Sequence, residues 1–409
     1  MNILFHLLTV DPEHDAVAKR TLGTAELLAE LGHTVYVVSN LPDYINGKKR
    51  KRWMFSFRHH EEKNGVHYQM YYTIPFFYKG TIRRLLNYYS FSFSSRFAKI
   101  KNTKIDVVVA TEPPLICCKA AVCLAKKFKA KLVLDIQDIW PDVAIEMNAF
   151  SKNSFKAKSF NKIARYMYKR SDLIVTVSNN KVKKLDAKLL EYGKNTTFVP
   201  NATDRFFINQ DFDDAFLEKY RFNKYFSCVH VGKVGKAQDL DSFLELAKHY
   251  LSNEKVRFYL LGDGVMMQHI LKRIENEKIF NVIYCGVCNS QQCYTALANS
   301  KLSYVSLINK NLIDSVPTKL FESIYSGCPC LVCANGESAE IVDSLKFGMS
   351  CNAGDKNEMI KNFDFIYHNY TEIEKYRESA FRFIDENYER HNVTKKFENV
   401  LNNLIKKND

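Results

Sequence analysis

The chain has 409 residues, 46% of them hydrophobic and 25% charged, and a formal net charge of +14. This composition excludes a disordered or fibrous chain, and the length exceeds the roughly 250–300 residues at which a single core stops growing, so two domains are expected. The excess of cations points to an anionic partner, which leaves a phosphorylated substrate, an anionic membrane surface or nucleic acid, unless an AT-rich genome that inflates Lys alone produces it.

Residues 3–10 read as a buried first strand. They lack the basic start and cleavage site of a signal peptide, and Asp11-Pro12-Glu13 follows at once. The chain has no apolar run long enough to span a bilayer, so a cytoplasmic location is expected. A helix follows over 18–31, closed by Gly32. Strands are expected at 34–39, 105–110, 132–136, 173–178 and 197–200, with helices at 114–128 and 160–170. Residues 46–104 interrupt the alternation. They carry Lys48-Lys-Arg-Lys-Arg52, then Trp53, Phe55, Phe57, Phe76, Phe77 and Tyr78, then Arg83, Arg84, Tyr88, Tyr89, Phe91 and Phe93. Cations interleaved with aromatics suit an anionic bilayer interface, and secondarily single-stranded nucleic acid or a partly buried insertion with a solvated edge.

A second alternation begins after Asn201-Ala-Thr-Asp204. Strands are expected at 227–231, 256–261, 282–284, 302–306 and 330–334, with helices at 239–250 and 317–326 and a helical tail over 372–407. Strands alternating with helices mean parallel sheets with crossover helices, here two doubly wound halves that bind ligands at strand carboxyl ends. The expected domains are 1–203 with the 46–104 insertion, 204–380, and a tail at 381–409 that packs back on the first. The chain holds 11 Cys, an odd number, and its CxxC pairs, Cys285/Cys288 and Cys330/Cys333, sit in apolar strands. They read as buried thiols rather than a zinc site.

Three segments carry candidate chemistry. Asp314-Ser-Val-Pro317-Thr318-Lys319-Leu-Phe-Glu322 opens a helix closed by Gly327. Amides and dipole at such a start favour anions, Lys319 adds a cation for a diphosphate, and Glu322 shares its face and can accept from ribose hydroxyls. Asp314, on the preceding loop, can address sugar hydroxyls. A solvated Lys-Glu pair gives the same pattern. Gly232-Lys233-Val-Gly235-Lys236 runs from a strand towards a helix. Glycine allows close approach and the lysines can hold phosphates, although neither dinucleotide nor Walker spacing is met. Gly262-Asp-Gly264 follows a strand and reads most simply as a turn. In the first half, Gly23 and Asp138 are candidates beside an acceptor, Asp138 as a base or as a structural cap of the Trp140-Pro141 turn. His6 reads as packed rather than catalytic.

Together with Gly32-His33, Asp138-Ile-Trp-Pro141, Pro200-Asn201, Ala237-Gln-Asp-Leu240 and Gly336-Glu-Ser-Ala-Glu340, these segments form an ordered set along nearly the whole chain. The set resembles glycosyltransferase family 4, in the branch of bacterial polysaccharide enzymes that includes an N-acetyl-L-fucosamine transferase. The resemblance implies a GT-B fold: α/β, two Rossmann-like domains with an interdomain cleft, the second holding the donor nucleotide. It implies retaining transfer from a nucleotide sugar, usually UDP-linked, without a required metal. By position Glu322 matches the carboxylate on the donor ribose, and Asp314 the first acid of an E-x7-E pattern, shortened from Glu. Lys319 matches the P-x-K lysine and Lys233 the family's Arg. Gln238 stands where a second lysine is common, so Lys236 is assigned that charge. Gly232, Gly235, Gly262 and Thr318 complete the donor set, and Lys233, Lys319, Glu322 and Asp138 the catalytic set. The expected partners are a nucleotide sugar, a lipid-linked oligosaccharide of capsule, O-antigen or exopolysaccharide assembly, and an anionic membrane, the protein lying peripherally on the inner membrane, with no nucleic acid. The alternatives are a nucleotide-sugar epimerase or soluble-acceptor transferase of the same fold, a basic nucleic-acid-binding protein, or a catalytically inactive scaffold.

Overall fold

The computed structural model describes residues 1–10, 16–41, 44–45, 48–49, 56–74, 81–308 and 311–406. The chain forms two compact units, Met1–Asn201 with Val393–Asp409, and Ala202–Asn392. Asp11-Pro12-Glu13, Arg50-Lys-Arg52, Trp53, Phe55, Phe76, Phe77 and Tyr78 lie outside the described residues.

The first unit has strands β1 (Asn2–His6), β2 (Thr34–Asn40), β3 (Tyr44–Ile45), β4 (Lys48–Lys49), β5 (Arg58–Lys63), β6 (Val66–Tyr71), β7 (Val107–Glu112), β8 (Lys131–Ile136), β9 (Leu173–Thr176) and β10 (Thr196–Phe198). Its helices are α1 (Ala16–Glu30), α2 (Thr81–Ser94), α3 (Cys118–Phe128), α4 (Asp142–Glu146), α5 (Phe155–Arg170) and α6 (Asn179–Leu189). The sheet runs β10-β9-β8-β7-β1-β2-β6-β5, and β3 and β4 form a separate two-stranded pair. All pairings in the large sheet are parallel except β5 with β6. The chain winds one way through β1, β2 and β6 and the other way through β7 to β10, so its direction reverses between β1 and β7. Leu4, Val108, Leu132, Leu134 and Ile174 of the sheet bury against Ala121, Leu124, Met167 and Leu185 of the helices.

Residues 46–104 are therefore not one insertion. Arg58–Lys63 and Val66–Tyr71 are strands of the main sheet, joined at Asn64-Gly65 with φ of 50° and 71°, a turn that asparagine and glycine permit. Charged residues fill β5 because it is an exposed edge, which hides its strand character from a hydrophobic pattern. The first strand ends at His6, and the helix expected from 114 starts at Cys118, after Pro113 and Pro114.

The second unit has strands β11 (Phe226–Val231), β12 (Val256–Leu261), β13 (Val282–Gly286), β14 (Leu302–Ser306), β15 (Cys330–Cys333) and β16 (Gly348–Cys351). Its helices are α7 (Arg205–Ile208), α8 (Asp214–Tyr220), α9 (Leu240–His249), α10 (Met267–Asn276), α11 (Ser290–Ala298), α12 (Thr318–Tyr325), α13 (Glu337–Leu345), α14 (Lys356–His368), α15 (Tyr370–Glu374) and α16 (Arg377–Tyr388). The sheet is wholly parallel, in the order β13-β12-β11-β14-β15-β16. This is the doubly wound dinucleotide-fold order, with its switch point between β11 and β14, where ligands enter such sheets. Helices start where side chains satisfy free amides: Asp239 accepts from Ser242 N–H (3.1 Å), and Asn289 with Gln292 forms a capping box on α11.

The tail expected from 381 is divided. Helix α16 stays with the second unit because Phe381 stacks on Tyr325 (4.7 Å between centroids) and Tyr388 on Phe321 (4.0 Å). Of α17 (Arg390–Lys406), residues from Val393 onward group with the first unit, where Glu398 meets His33 Nε2 at 2.7 Å.

Candidate active site

The loops after β11, β12 and β14 meet at the switch point of the second unit. Three hydrogen bonds weld the first two loops: Gly232 N–H to Leu261 O (2.8 Å), Val234 N–H to Asp263 O (2.9 Å) and Met266 N–H to Val234 O (3.1 Å). The glycines of Gly262-Asp-Gly264 exist for this contact. A Cβ on Gly262, whose φ is +128°, would stand 2.0 Å from Gly232 O, and one on Gly264 2.2 Å from Val234 O. Gly262 thus supports Gly232 from beneath.

Three amides of the glycine loop are spent within the protein. Besides Gly232 and Val234, Gly235 N–H donates to Gln238 Oε1 at 3.1 Å. Gln238, read from the sequence only as a missing lysine, closes the loop. The side chains of Lys233 and Lys236 are exposed beside it, and Gly232 has a φ of +114°.

Lys319, in the first turn of α12, lies across this loop. A Cβ added to Gly232 would stand in ordinary contact, 3.8 Å, with both Cε and Nζ of Lys319, so the side chain lies close over the loop and it is the φ of +114° that favours glycine there. Pro317 occupies the cap position of α12 with φ −66° and ψ 134°, just outside the first turn where the sequence places it, and no side chain caps the helix. Thr318 and Lys319 therefore start a helix that its cap residue, a proline, cannot cap with a side chain. Lys319 Nζ stands 3.5 Å from Nε2 of His230, which is fully buried in β11. His230 Nδ1 faces Tyr304 O at 3.4 Å; in the tautomer with the proton on Nδ1, Nε2 turns its lone pair to the ammonium. Burial, partly offset by the Glu322 carboxylate, lowers the Lys319 pKa to about 8. Burial, then the Lys319 charge, pushes His230 well below its usual value and keeps it neutral. His230 was not foreseen as part of the site. Its sequence signal is a polar residue in an apolar strand, two positions before the glycine loop.

Asp314 is buried on the loop after β14. That loop is strapped to the start of α13: Glu337 N–H donates to Ile313 O (3.1 Å) and Ser338 Oγ–H to Ser315 O (2.8 Å). Gly336, at φ +75°, is obligatory there, since a Cβ would meet Ile313 O at 2.2 Å. Glu337 is buried beside the strap, a position to which the sequence assigns no role. The switch point thus gathers Gly232, Gly235, Lys319 and, beneath them, Gly262. Glu322 lies on the same helix as Lys319, close enough to act on its charge. Cys330 and Cys333 are buried in β15, with Cys333 Sγ 3.3 Å from Cys351 Sγ, while Cys285 and Cys288 pack beside the cluster around Phe222.

In the first unit, Gly23 lies inside α1 and is half-buried. Asp138 is half-buried in the turn after β8. Beside it, at the end of β7, Glu112 is buried with Oε1 unpartnered. Burial, then the Asp138 charge, raises the Glu112 pKa well above its usual value. Arg20 is buried in α1, its Nε and Nη2 each 3.3 Å from a carboxylate oxygen of Asp135, and it also donates to Val199 O and Pro200 O. His6 is packed: its Nε2 is 2.9 Å from Ser95 Oγ, its ring stacks on Phe91, and burial lowers its pKa to about 3. A groove of about 660 Å³ in this unit is lined by Asp142, Glu146, Lys158, Lys162 and Lys188 among others, and its acids are paired with Lys184 and Lys188.

Residues 15–202 match the family described as "Glycosyl transferase 4-like domain", and 212–383 that described as "Glycosyl transferases group 1". A relative from Escherichia coli K12, named "Putative colanic acid biosynthesis glycosyl transferase WcaI", is 26% identical over 82% of this chain and 83% of its own. Sucrose-phosphate synthase from Thermosynechococcus elongatus superposes with a TM-score of 0.76 at 10% identity, covering 98% of each chain. HepE from Anabaena, solved with UDP and glucose, does so with a TM-score of 0.71 at 12% identity, covering 98% of this chain and 100% of that one. Two parallel α/β units, each reversing at a switch point, and family matches along most of the length agree: the chain is a glycosyltransferase, a member of family 4 with the GT-B fold.

Proposed function

We propose that the protein moves a sugar from a nucleotide sugar, UDP-linked, to a lipid-linked oligosaccharide in bacterial cell-surface polysaccharide synthesis, with retention at the anomeric carbon. The observation that carries the donor assignment is Lys319 lying over Gly232 at the switch point, beside a helix start without a side-chain cap. A diphosphate seated there meets Lys319 from one side and Lys233 and Lys236 from the loop. The first amides of α12 add dipolar stabilisation. Glu322 is assigned the ribose hydroxyls and Asp314 the donor sugar. HepE, a structural neighbour, was solved with UDP, which supports that nucleotide as the donor's leaving group. WcaI, a relative by sequence, is named for colanic acid biosynthesis, which supports a polysaccharide product.

In the transfer, the bond from the anomeric carbon to the diphosphate oxygen breaks and one from the acceptor hydroxyl oxygen forms on the same face. The hydroxyl proton passes to the departing diphosphate. Charge develops on that diphosphate, so fixed cations and helix amides supply the largest stabilisation. Asp138 in the first unit is assigned to the acceptor. The protein works at the cytoplasmic side of the inner membrane, where a lipid-linked acceptor is presented.

Thermal-shift measurement with a panel of nucleotide sugars tests the reading. UDP-sugars should raise the melting temperature of the native protein, and Lys319→Ala and Glu322→Ala should each abolish transfer with the fold intact. Normal turnover in either variant overturns the donor site. Interconversion of the free nucleotide sugar without an acceptor would make the protein an epimerase.

A further inference from the structure

The last helix before β7 exposes what helices normally bury. In α2 and the turn after it, Ile82 is 75% exposed, Leu86 48%, Tyr89 52%, Phe93 60% and Phe97 55%. At 3.6 residues per turn, this spacing keeps the side chains within about 100° of arc, a single stripe along the helix. The opposite side is the packed one. Phe91 is fully buried against the His6 ring, Asn87 Nδ2 donates to Ile74 O (2.8 Å), and Ser95 Oγ meets His6 Nε2. The helix is thus fastened to the unit by one face and offers a second apolar face to the outside.

The stripe is built as a surface rather than a frayed edge. Phe93 and Phe97 meet edge to face at 5.4 Å, and the Arg96 guanidinium lies 5.2 Å from the Phe93 centroid. The charge along this stretch of chain has one sign. Between residues 66 and 105 the chain has no Asp or Glu, whereas Lys79, Arg83, Arg84, Arg96, Lys99, Lys101 and Lys104 fall within that span. No described helix is long and apolar enough to cross a membrane. An apolar stripe flanked by cations on a short helix matches a structure lying in the headgroup plane, with rings and aliphatic chains dipping below it and guanidinium groups on lipid phosphates.

We infer that the exposed face of α2, with Phe97, is where this protein docks on an anionic lipid bilayer. This deepens the proposed use of a lipid-linked acceptor, and it moves the membrane contact from the whole 46–104 segment to one helix face. β5 and β6 belong to the sheet, and α2 carries the unpartnered apolar surface.

The test is sedimentation with vesicles of phosphatidylcholine alone and of phosphatidylcholine mixed with phosphatidylglycerol. The full chain should bind the mixed vesicles more tightly, and less so at high salt. The double variant Leu86→Asp/Phe93→Asp should lose binding by about tenfold or more, because it puts charges where the stripe enters the acyl boundary. Its melting temperature and its binding of UDP without lipid should match the native protein. A single Tyr89→Trp variant guards against misfolding of the double one, and its fluorescence should shift to the blue on mixed vesicles only. Equal vesicle binding by native protein and double variant overturns the inference. So does failure of the native protein to bind mixed vesicles, or a lipid-free dimer that the double variant dissolves, since the stripe would then be a contact between copies. Loss of UDP binding in the native protein strikes the donor assignment and leaves the surface standing.

Discussion

Lys319 Nζ stands 3.5 Å from the buried Nε2 of His230, across the gap between the start of α12 and the end of β11. The ammonium faces a neutral nitrogen rather than a carboxylate, so it is held in place without being neutralised. A diphosphate arriving there meets a cation poorly solvated and weakly paired, in a surrounding where its Coulomb attraction is less screened than in water.

The pH dependence follows from the Lys319 pKa of about 8, down from 10.5. In the free protein the amine loses its proton as pH rises through about 8, whereas bound diphosphate favours the cation. UDP affinity should therefore be flat below that pH and fall above it. Calorimetric titration checks this, and Lys319→Arg, which stays charged, should remove the inflection. Stability moves oppositely. Between about 8 and 10.5 the unfolded chain binds more protons than the folded one, so stability rises with pH there, and Lys319→Met should abolish the rise.

Replacing His230 with Phe keeps an aromatic volume but removes the lone pair facing Lys319. UDP binding should weaken by about 1 kcal/mol, the scale of one hydrogen bond, as measured by calorimetry at neutral pH. Unchanged affinity would show that packing alone places Lys319.

Gly262 and Gly286 separate two reasons for glycine. Both have positive φ, +128° and +85°, but only Gly262 abuts backbone, while Gly286 has nothing within 4 Å of a built Cβ. Gly286→Ala should cost about 1–2 kcal/mol of conformational strain. Gly262→Ala should cost about 3 kcal/mol or more, because the Gly232 loop must also move. Urea unfolding compares them, and loss of UDP binding should accompany only Gly262→Ala.

Glu112 should make the first unit less stable as pH rises. Its pKa is raised above the usual 4.5, so above that pH the folded protein retains a proton that the unfolded chain releases. Stability then falls with increasing pH from about 4.5 towards the folded pKa. Glu112→Gln keeps the shape without the proton and should flatten that slope in melting experiments.

Arg20 should be among the costliest residues to remove from the first unit. Arg20→Ala leaves Asp135 buried without its cation and the Val199 and Pro200 carbonyls without their donor, a loss of about 3–5 kcal/mol. Arg20→Lys should recover little, since one ammonium does not span the sites the guanidinium reaches. Urea unfolding of both variants measures the difference.

The sequence by itself determined which segments alternate as strands and helices, that the sheets are parallel, and where the glycine loops and the Pro317 helix start fall. Those features are written in apolar runs, caps and glycines within a few neighbouring residues. It also carried the family resemblance, because the motifs keep their order along the chain. What it could not decide is which distant segments touch. Strand order placed β11 beside β14 and so brought Lys319 onto Gly232 and His230, although three strands of the sheet lie between them in the chain. Gly262 read as part of a plain turn, and only the tertiary structure showed that the Gly232 carbonyl is the neighbour that requires a glycine there. The charged strand β5 was hidden by its place at a sheet edge, where burial does not select apolar side chains. The stripe on α2 became visible only once Phe91, Asn87 and Ser95 were seen to pack inward, because the same apolar periodicity serves a buried face and an exposed one. Local chemistry selects the elements; burial and pairing between residues far apart in sequence decide which of their faces are left for function.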